Sequence, residues 1–362
     1  MGRLVCSPME AGAFRDSITN PHFRRAWIAV NLRRGVISAP LLFGAGVKAV
    51  QQRNLGPSGL QVSLVGLGCN NFGARCDLEA TRRVAYRALD LGITLFDTAD
   101  IYGNRGGSED LLGQVLGARR KDIVLASKFG LPMDDVPNKA RGSRRYIIQA
   151  VEDSLRRLRT DWIDLYQLHT PDPRTPIDET LRAMDDLIRQ GKVRYIGASN
   201  LAAWQVVQAQ WASNDLGLNR FISSQDEYSL VVRKPEKELI PALAEYKLGL
   251  LPYFPLAGGL LTGKYARNSA MPEDSRLTTT QRMADRFITD KNWEIVERLG
   301  DFAAAHGRSM LELAFSWLAA KPVVSSIIAG ATRPEQLDAN VQAVNWALTD
   351  EDLAEIDSIT QP

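Results

Sequence analysis

A (β/α)8 barrel of the α/β class, with an N-terminal β-hairpin plug and extra helices, is the fold predicted for this 362-residue chain. Three observations predict it. From Arg53 onward, short β-branched runs alternate with longer stretches whose apolar residues recur at three- and four-residue spacing, the pattern of parallel strands joined by helices. There are eight such strand candidates in about 300 residues, which suits a closed barrel with an insertion better than an open doubly wound sheet. No long Pro/Ser-rich linker interrupts them, so residues 53–362 read as one domain.

In chain order, residues 53–63 read as the hairpin, with its turn at Gly56-Pro57-Ser58-Gly59. The strands follow at 63–68, 94–97, 123–128, 163–169, 195–199, 221–225, 249–253 and 325–329. Each is a short run dominated by Val, Ile, Leu, Phe or Tyr, bounded by polar or glycine-containing segments. Helices are predicted between them at 78–91, 108–116, 144–158, 177–189, 202–213, 234–246 and 334–344. Additional helices are expected at 290–306, at 309–320 and near the C-terminus, with an insertion over 266–286.

Composition narrows the class further. Apolar residues make up 45% of the chain and charged residues 24%, as in a folded globular domain. Three cysteines, Cys6, Cys69 and Cys76, are odd in number and lack metal-ligand spacing, so neither a disulfide framework nor a metal site is expected. The net charge is +2. Residues 1–52 carry seven basic side chains against two acidic ones, which leaves the remainder slightly acidic and without a nucleic-acid footprint.

Residues 1–52 do not continue the barrel pattern and read as a flexible N-terminal extension. Their apolar stretch is broken by Pro40 and Lys48 and falls short of the roughly 20 residues that a bilayer requires. Arg33-Arg34 raises the alternative of an export signal, but residues 47–51 lack a clean small-residue cleavage site. A cytoplasmic location is expected.

The chemistry concentrates at strand ends, where a barrel of this kind carries its active site. Asp97, Lys128 and His169 each end an otherwise apolar strand, and Tyr102 lies in the loop just after Asp97. Any one of them alone reads as a strand entering a loop. Together they form a proton-delivery set: a phenol, of ordinary pKa about 10, beside an ammonium that favours the phenolate. A carboxylate would orient the ammonium, and an imidazole could donate to the same substrate oxygen. His22 and His306 lie in the tail and at a helix end, which leaves His169 as the histidine placed for chemistry.

Two nucleotide motifs fail on inspection. Gly258 through Lys264 satisfies GxxxxGK, but Tyr265 stands where a P-loop needs Ser or Thr for magnesium. Gly66-Leu67-Gly68-Cys69-Asn70-Asn71 lacks the third glycine of a Rossmann turn, and it begins the barrel instead of opening a dinucleotide-binding βαβ unit.

The segments around the four residues resemble the aldo-keto reductases. The matching stretches are Phe96-Asp97-Thr98-Ala99-Asp100-Ile101-Tyr102-Gly103, Ser108-Glu109-Asp110-Leu111-Leu112-Gly113, Ala126-Ser127-Lys128-Phe129-Gly130, residues 161–169 and residues 191–200. The resemblance runs from about Arg53 to the C-terminus. It implies an enzyme that binds NADP(H) across the barrel mouth and reduces an aldehyde or ketone to an alcohol, with hydride from the nicotinamide. Tyr102 is then the general acid, Lys128 lowers its pKa, Asp97 pairs with Lys128, and His169 orients the carbonyl.

For the cofactor, the resemblance implies Ser199, Asn200 and Gln225 on the nicotinamide carboxamide and Tyr253 against its ring. Gly68, Cys69 and Asn70 would lie by the ribose, Pro255 and Leu256 along the following loop, and Lys264 and Arg276 at the phosphates. Gly330, Thr332, Arg333, Gln336 and Asn340 would grip the 2′-phosphate and adenine, with free N–H groups at the helix that Pro334 opens. Two positions depart from the family. Ala339 stands where Glu often meets the adenine amino group, a contact then lost or taken by Asp338. Phe254 replaces a common serine. The same scaffold run oxidatively, as a sugar or alcohol dehydrogenase, is one alternative. A non-catalytic NADP-binding subunit is the other, since some family members resemble potassium-channel β subunits. The resemblance leaves the oligomeric state open.

Overall fold

The computed structural model describes residues 50–137, 139–273 and 275–360. Ten strands are present among them. β1 (Gln52–Asn54) and β2 (Gln61–Ser63) form an antiparallel hairpin. The other eight close a parallel barrel: β3 (Val65–Gly68), β4 (Leu95–Asp97), β5 (Val124–Phe129), β6 (Ile163–Leu168), β7 (Val193–Ser199), β8 (Phe221–Glu227), β9 (Gly249–Tyr253) and β10 (Ile327–Gly330). They pair in sequence order, and β10 closes on both β3 and β9. This is the predicted (β/α)8 barrel, with most expected elements within a few residues of their bounds.

The expected N-terminal extension falls almost wholly outside the described residues. The described chain enters the fold slightly before Arg53: Val50 is buried, and the Leu64 N–H donates to the Gln51 carbonyl at 2.7 Å.

The hairpin plugs the barrel floor. Leu55 and Val62 pack with Leu95, Ala126, Leu165, Ile222, Leu251 and Ile328, the lower inward side chains of the strands. The Arg53 guanidinium fastens the plug from outside, donating to the carbonyls of Val324 at 2.7 Å and Ala319 at 2.6 Å. Gly56, at φ +56°, must be glycine, because a Cβ there would lie 2.0 Å from the Ile222 carbonyl oxygen. A second, larger core fills the space between the strands and the outer helices.

Side chains two residues apart on a strand share a side. Two residues above Leu95, Ala126 and Leu165 the inward positions are Asp97, Lys128 and Gln167. An apolar floor therefore gives way to a polar layer at the strand ends.

The helix predicted from residue 108 belongs to a segment, Tyr102–Leu116, whose first part is not regular helix. Gly103, Asn104, Arg105 and Gly106 all have positive φ, so Tyr102 is delivered by a left-handed run and not by a helical turn. Among the described residues no helix is long and apolar enough to cross a membrane, and no group of three or more His, Cys, Asp or Glu could hold a metal ion.

Candidate active site

Lys128 is fully buried, and its ammonium has three neighbours: Asp97 Oδ2 at 2.7 Å, the Thr98 carbonyl at 2.8 Å and the Tyr102 hydroxyl at 3.4 Å. Burial alone would push this ammonium toward neutrality, but Asp97 and Tyr102 outweigh it and hold the Lys128 pKa above its ordinary value. The other Asp97 oxygen accepts from Gln225 Nε2 at 2.8 Å and Gln167 Nε2 at 3.3 Å. The carboxylate is thus satisfied on both sides in a water-poor layer, as a buried charge must be.

The Tyr102 ring lies edge-on to the His169 ring, centroids 5.8 Å apart. Its phenol differs from the sequence expectation. Burial pushes its pKa above 10, and Lys128 opposes this without overcoming it, so the hydroxyl keeps its proton. His169 is buried, its Nδ1 has no partner among the described residues, and burial followed by the Lys128 charge pushes its pKa down to about 3. The imidazole is neutral at any ordinary pH.

These groups face an open cavity of about 840 Å³. Asp97, Tyr102 and His169 line its floor. Among the sequence-predicted cofactor residues, Gly68, Asn70, Ser199, Asn200, Gln225 and Tyr253 line it near that floor. Pro255, Leu256, Lys264, Arg276, Gly330, Thr332, Arg333 and Gln336 line the groove beyond. Tyr253 Oη donates to Asn200 Oδ1 at 2.8 Å, and Asn200 Nδ2 donates to the His169 carbonyl at 3.0 Å.

Two expected residues are not in the wall. Cys69 is fully buried, with Sγ 3.6 Å from the Leu67 carbonyl, because the turn directs its side chain into the core. Asn340 is buried on the helix Pro334–Gln342 and is not among the residues that line the cavity. Asp338, the other residue considered for the adenine, has both carboxylate oxygens bonded by the Arg87 guanidinium. Two N–H groups just before that helix are engaged within the loop. Gln336 Oε1 accepts from Thr332 N at 2.8 Å and Arg333 N at 3.2 Å, and Arg333 lines the groove there.

Sequence reasoning missed Gln167, Thr98, Asn71 and Arg75. Gln167 had a signal, since it stands two residues before His169 on the same strand and so shares its side. Thr98 acts through its backbone and had none. Asn71 and Arg75 reach the cavity from the turn after β3, where Asn71 Oδ1 accepts from Arg276 at 3.1 Å. Phe254 contributes more than backbone groups, for the Arg276 guanidinium lies 5.5 Å above its ring.

The groove suits a phosphate-bearing, extended ligand. Gly258 and Gly259 have φ of +71° and +105°, and a Cβ on Gly259 would fill the space 3.5 Å from Lys264 Nζ. Lys264, Arg276 and Arg333 supply positive charge along its length. The former P-loop candidate is part of this wall, and Tyr265 packs into the core below it.

Comparison with known proteins agrees with this architecture. The model of the aldo/keto reductase family matches residues 64–361. A Bacillus subtilis (strain 168) protein named "Uncharacterized oxidoreductase YrpG" is 39% identical over 84% of this chain and 94% of its own. A rice (Oryza sativa subsp. japonica) protein named "Probable voltage-gated potassium channel subunit beta" is 37% identical over 86% of this chain and 97% of its own. The Escherichia coli O157:H7 "L-glyceraldehyde 3-phosphate reductase" is 34% identical over 85% and 92%. With a barrel of this topology and a match over nearly its whole length, the chain belongs to the aldo/keto reductase family of oxidoreductases.

Proposed function

We propose that the chain is an NADPH-dependent reductase that converts an aldehyde or ketone to an alcohol, with Tyr102 as general acid. The observation that carries this reading is the Tyr102 hydroxyl at the cavity floor, 3.4 Å from the ammonium of the buried Lys128–Asp97 pair and with its ring edge-on to His169.

When bound, NADPH supplies a hydride to the carbonyl carbon. Tyr102 gives its proton to the carbonyl oxygen as negative charge develops there. Lys128, 3.4 Å from the hydroxyl, stabilises the phenolate left behind, and Asp97 keeps Lys128 charged and in place. His169, neutral, donates to the same oxygen and fixes the carbonyl without adding a charge. Ser199, Asn200, Gln225 and Tyr253 would hold the nicotinamide, the Gly258-Gly259 cradle and Lys264 the pyrophosphate, and Arg276 and Arg333 the 2′-phosphate.

The test is NADPH consumption by the purified full chain across a panel of aldehydes and ketones, with NADP+ and alcohols as the reverse arm. Turnover of at least one carbonyl is expected. A chain that binds NADPH tightly but turns over nothing in either direction would instead be a regulatory cofactor-binding subunit. The name of the rice relative favours that second reading.

A further inference from the structure

The turn that delivers Tyr102 contains a carboxyl group that the mechanism does not use. Asp100 is 1% exposed, and neither of its oxygens makes a hydrogen bond of acceptable geometry among the described residues. Its backbone is fixed at both sides of the turn: the Asp100 N–H donates to the Lys128 carbonyl at 3.1 Å, and the Tyr102 N–H donates to the Ala99 carbonyl at 3.1 Å.

The cations that could neutralise Asp100 are committed elsewhere. Lys128 directs its ammonium to Asp97, Thr98 and Tyr102. Arg157 reaches in from the helix Arg144–Leu158 but donates to Glu109 Oε2, from Nε at 2.8 Å and Nη2 at 2.7 Å. Glu109 is itself fully buried, its other oxygen accepting from Ser127 at 2.5 Å. The Arg157 guanidinium thus bonds Glu109 and not Asp100, which feels only its charge. On the remaining sides are the Tyr166 hydroxyl, buried without a partner, and Tyr146, both of which feel the Asp100 charge. The Ile101 N–H faces the carboxyl and favours its charged form, but without a well-formed bond. A bare carboxylate in such a place is disfavoured, and it takes up a proton instead.

We propose that Asp100 is a positioning residue for the reaction: its carboxyl stays protonated while the enzyme works, and its ionisation beside Glu109 shifts the 99–102 turn and withdraws Tyr102 from Lys128. The Tyr102–Lys128 contact, at 3.4 Å, is near the limit of a hydrogen bond, so a small displacement of the turn breaks it. Burial first, then Glu109, raises the Asp100 pKa to about 8. The reductive kcat therefore has an inflection near pH 8, below any limb from the Tyr102 phenol itself, which lies above pH 10. The positioning role rests on the reductase reading; the protonated carboxyl does not.

Two measurements on the full-length protein test it. Infrared difference spectra between pH 6.5 and 9.5 should show the carbonyl stretch of a protonated carboxylic acid that titrates near pH 8 and is missing from Asp100→Asn. The pH profile of kcat at saturating NADPH should lose its inflection near pH 8 in the same variant. If wild type shows no such band at pH 6.5, the protonated carboxyl is refuted, even if Asp100→Asn does not fold. If the band is there but Asp100→Asn keeps the wild-type inflection, the positioning role is refuted. Absence of turnover on every carbonyl would sink the reductase reading and the positioning role together, while the infrared titration still decides the protonation.

Discussion

Gln225 Nε2 donates to Asp97 Oδ1 over 2.8 Å, joining two strand ends 128 residues apart across the barrel interior. With Gln167 it occupies the oxygen that Lys128 does not, so Asp97 serves one ammonium and two amides at once. Asp97→Asn should leave a fully buried ammonium without its counter-charge. A loss of about 3–5 kcal/mol of unfolding free energy is expected, as for other broken buried pairs. Gln225→Leu should cost less, about 1.5–3 kcal/mol, the worth of one hydrogen bond to a charged group. Urea unfolding of the two variants checks both, and equal losses would mean that the amide matters as much as the charge.

Tyr102→Phe removes the transferable proton and almost no volume. Turnover should fall at least about 10²–10⁴-fold, the usual contribution of a general acid, while NADPH affinity stays unchanged. Lys128→Met should be comparably damaging to turnover. Single-turnover measurements decide the point, and a Tyr102→Phe enzyme with near wild-type chemistry would remove Tyr102 from its role.

His169 should govern acid stability. Its pKa is depressed to about 3 in the folded protein, against about 6.5 in an unfolded chain. The unfolded state therefore binds the extra proton between these values. The stability that the neutral ring allows is complete above about pH 6.5 and is lost as pH falls toward 3, by up to about 1.4 kcal/mol per pH unit. Asp100 works in the opposite direction, since its raised pKa makes stability fall as pH rises from about 4 to 8. Unfolding free energies of wild type and His169→Gln, compared at pH 4, 5 and 7, isolate the histidine. The gap between the two proteins should change with pH in that sense.

NADPH should bind more tightly than NADH. Arg276 is half-buried against Asn71 and the Phe254 ring, and Arg333 stands exposed at the groove end. One charge-assisted contact to a 2′-phosphate contributes about 1.5–3 kcal/mol, roughly a ten- to hundredfold preference. Fluorescence titration of both cofactors, repeated on Arg333→Ala and Arg276→Ala, measures it. The preference should shrink in whichever variant loses the phosphate contact, and equal affinity of wild type for both cofactors would refute the assignment.

The amino-acid sequence by itself determined the alternation of eight strands with helices, the hairpin before them and the four residues at the strand ends. These are local properties: β-branched runs, helical spacing and a polar residue closing an apolar strand are written in neighbouring positions. Only the tertiary structure decided which distant groups meet. Alternation tells which side of a strand Gln167 and Gln225 occupy, but the stagger of the closed barrel sets them level with Asp97. The same limit explains Cys69, which adjoins cavity residues in sequence yet turns into the core, and Asp338, which Arg87 captures from a helix some 250 residues earlier. It also explains Asp100. Its isolation depends on where Lys128, Arg157 and Glu109 spend their hydrogen bonds, a competition among strands and helices that no single segment records.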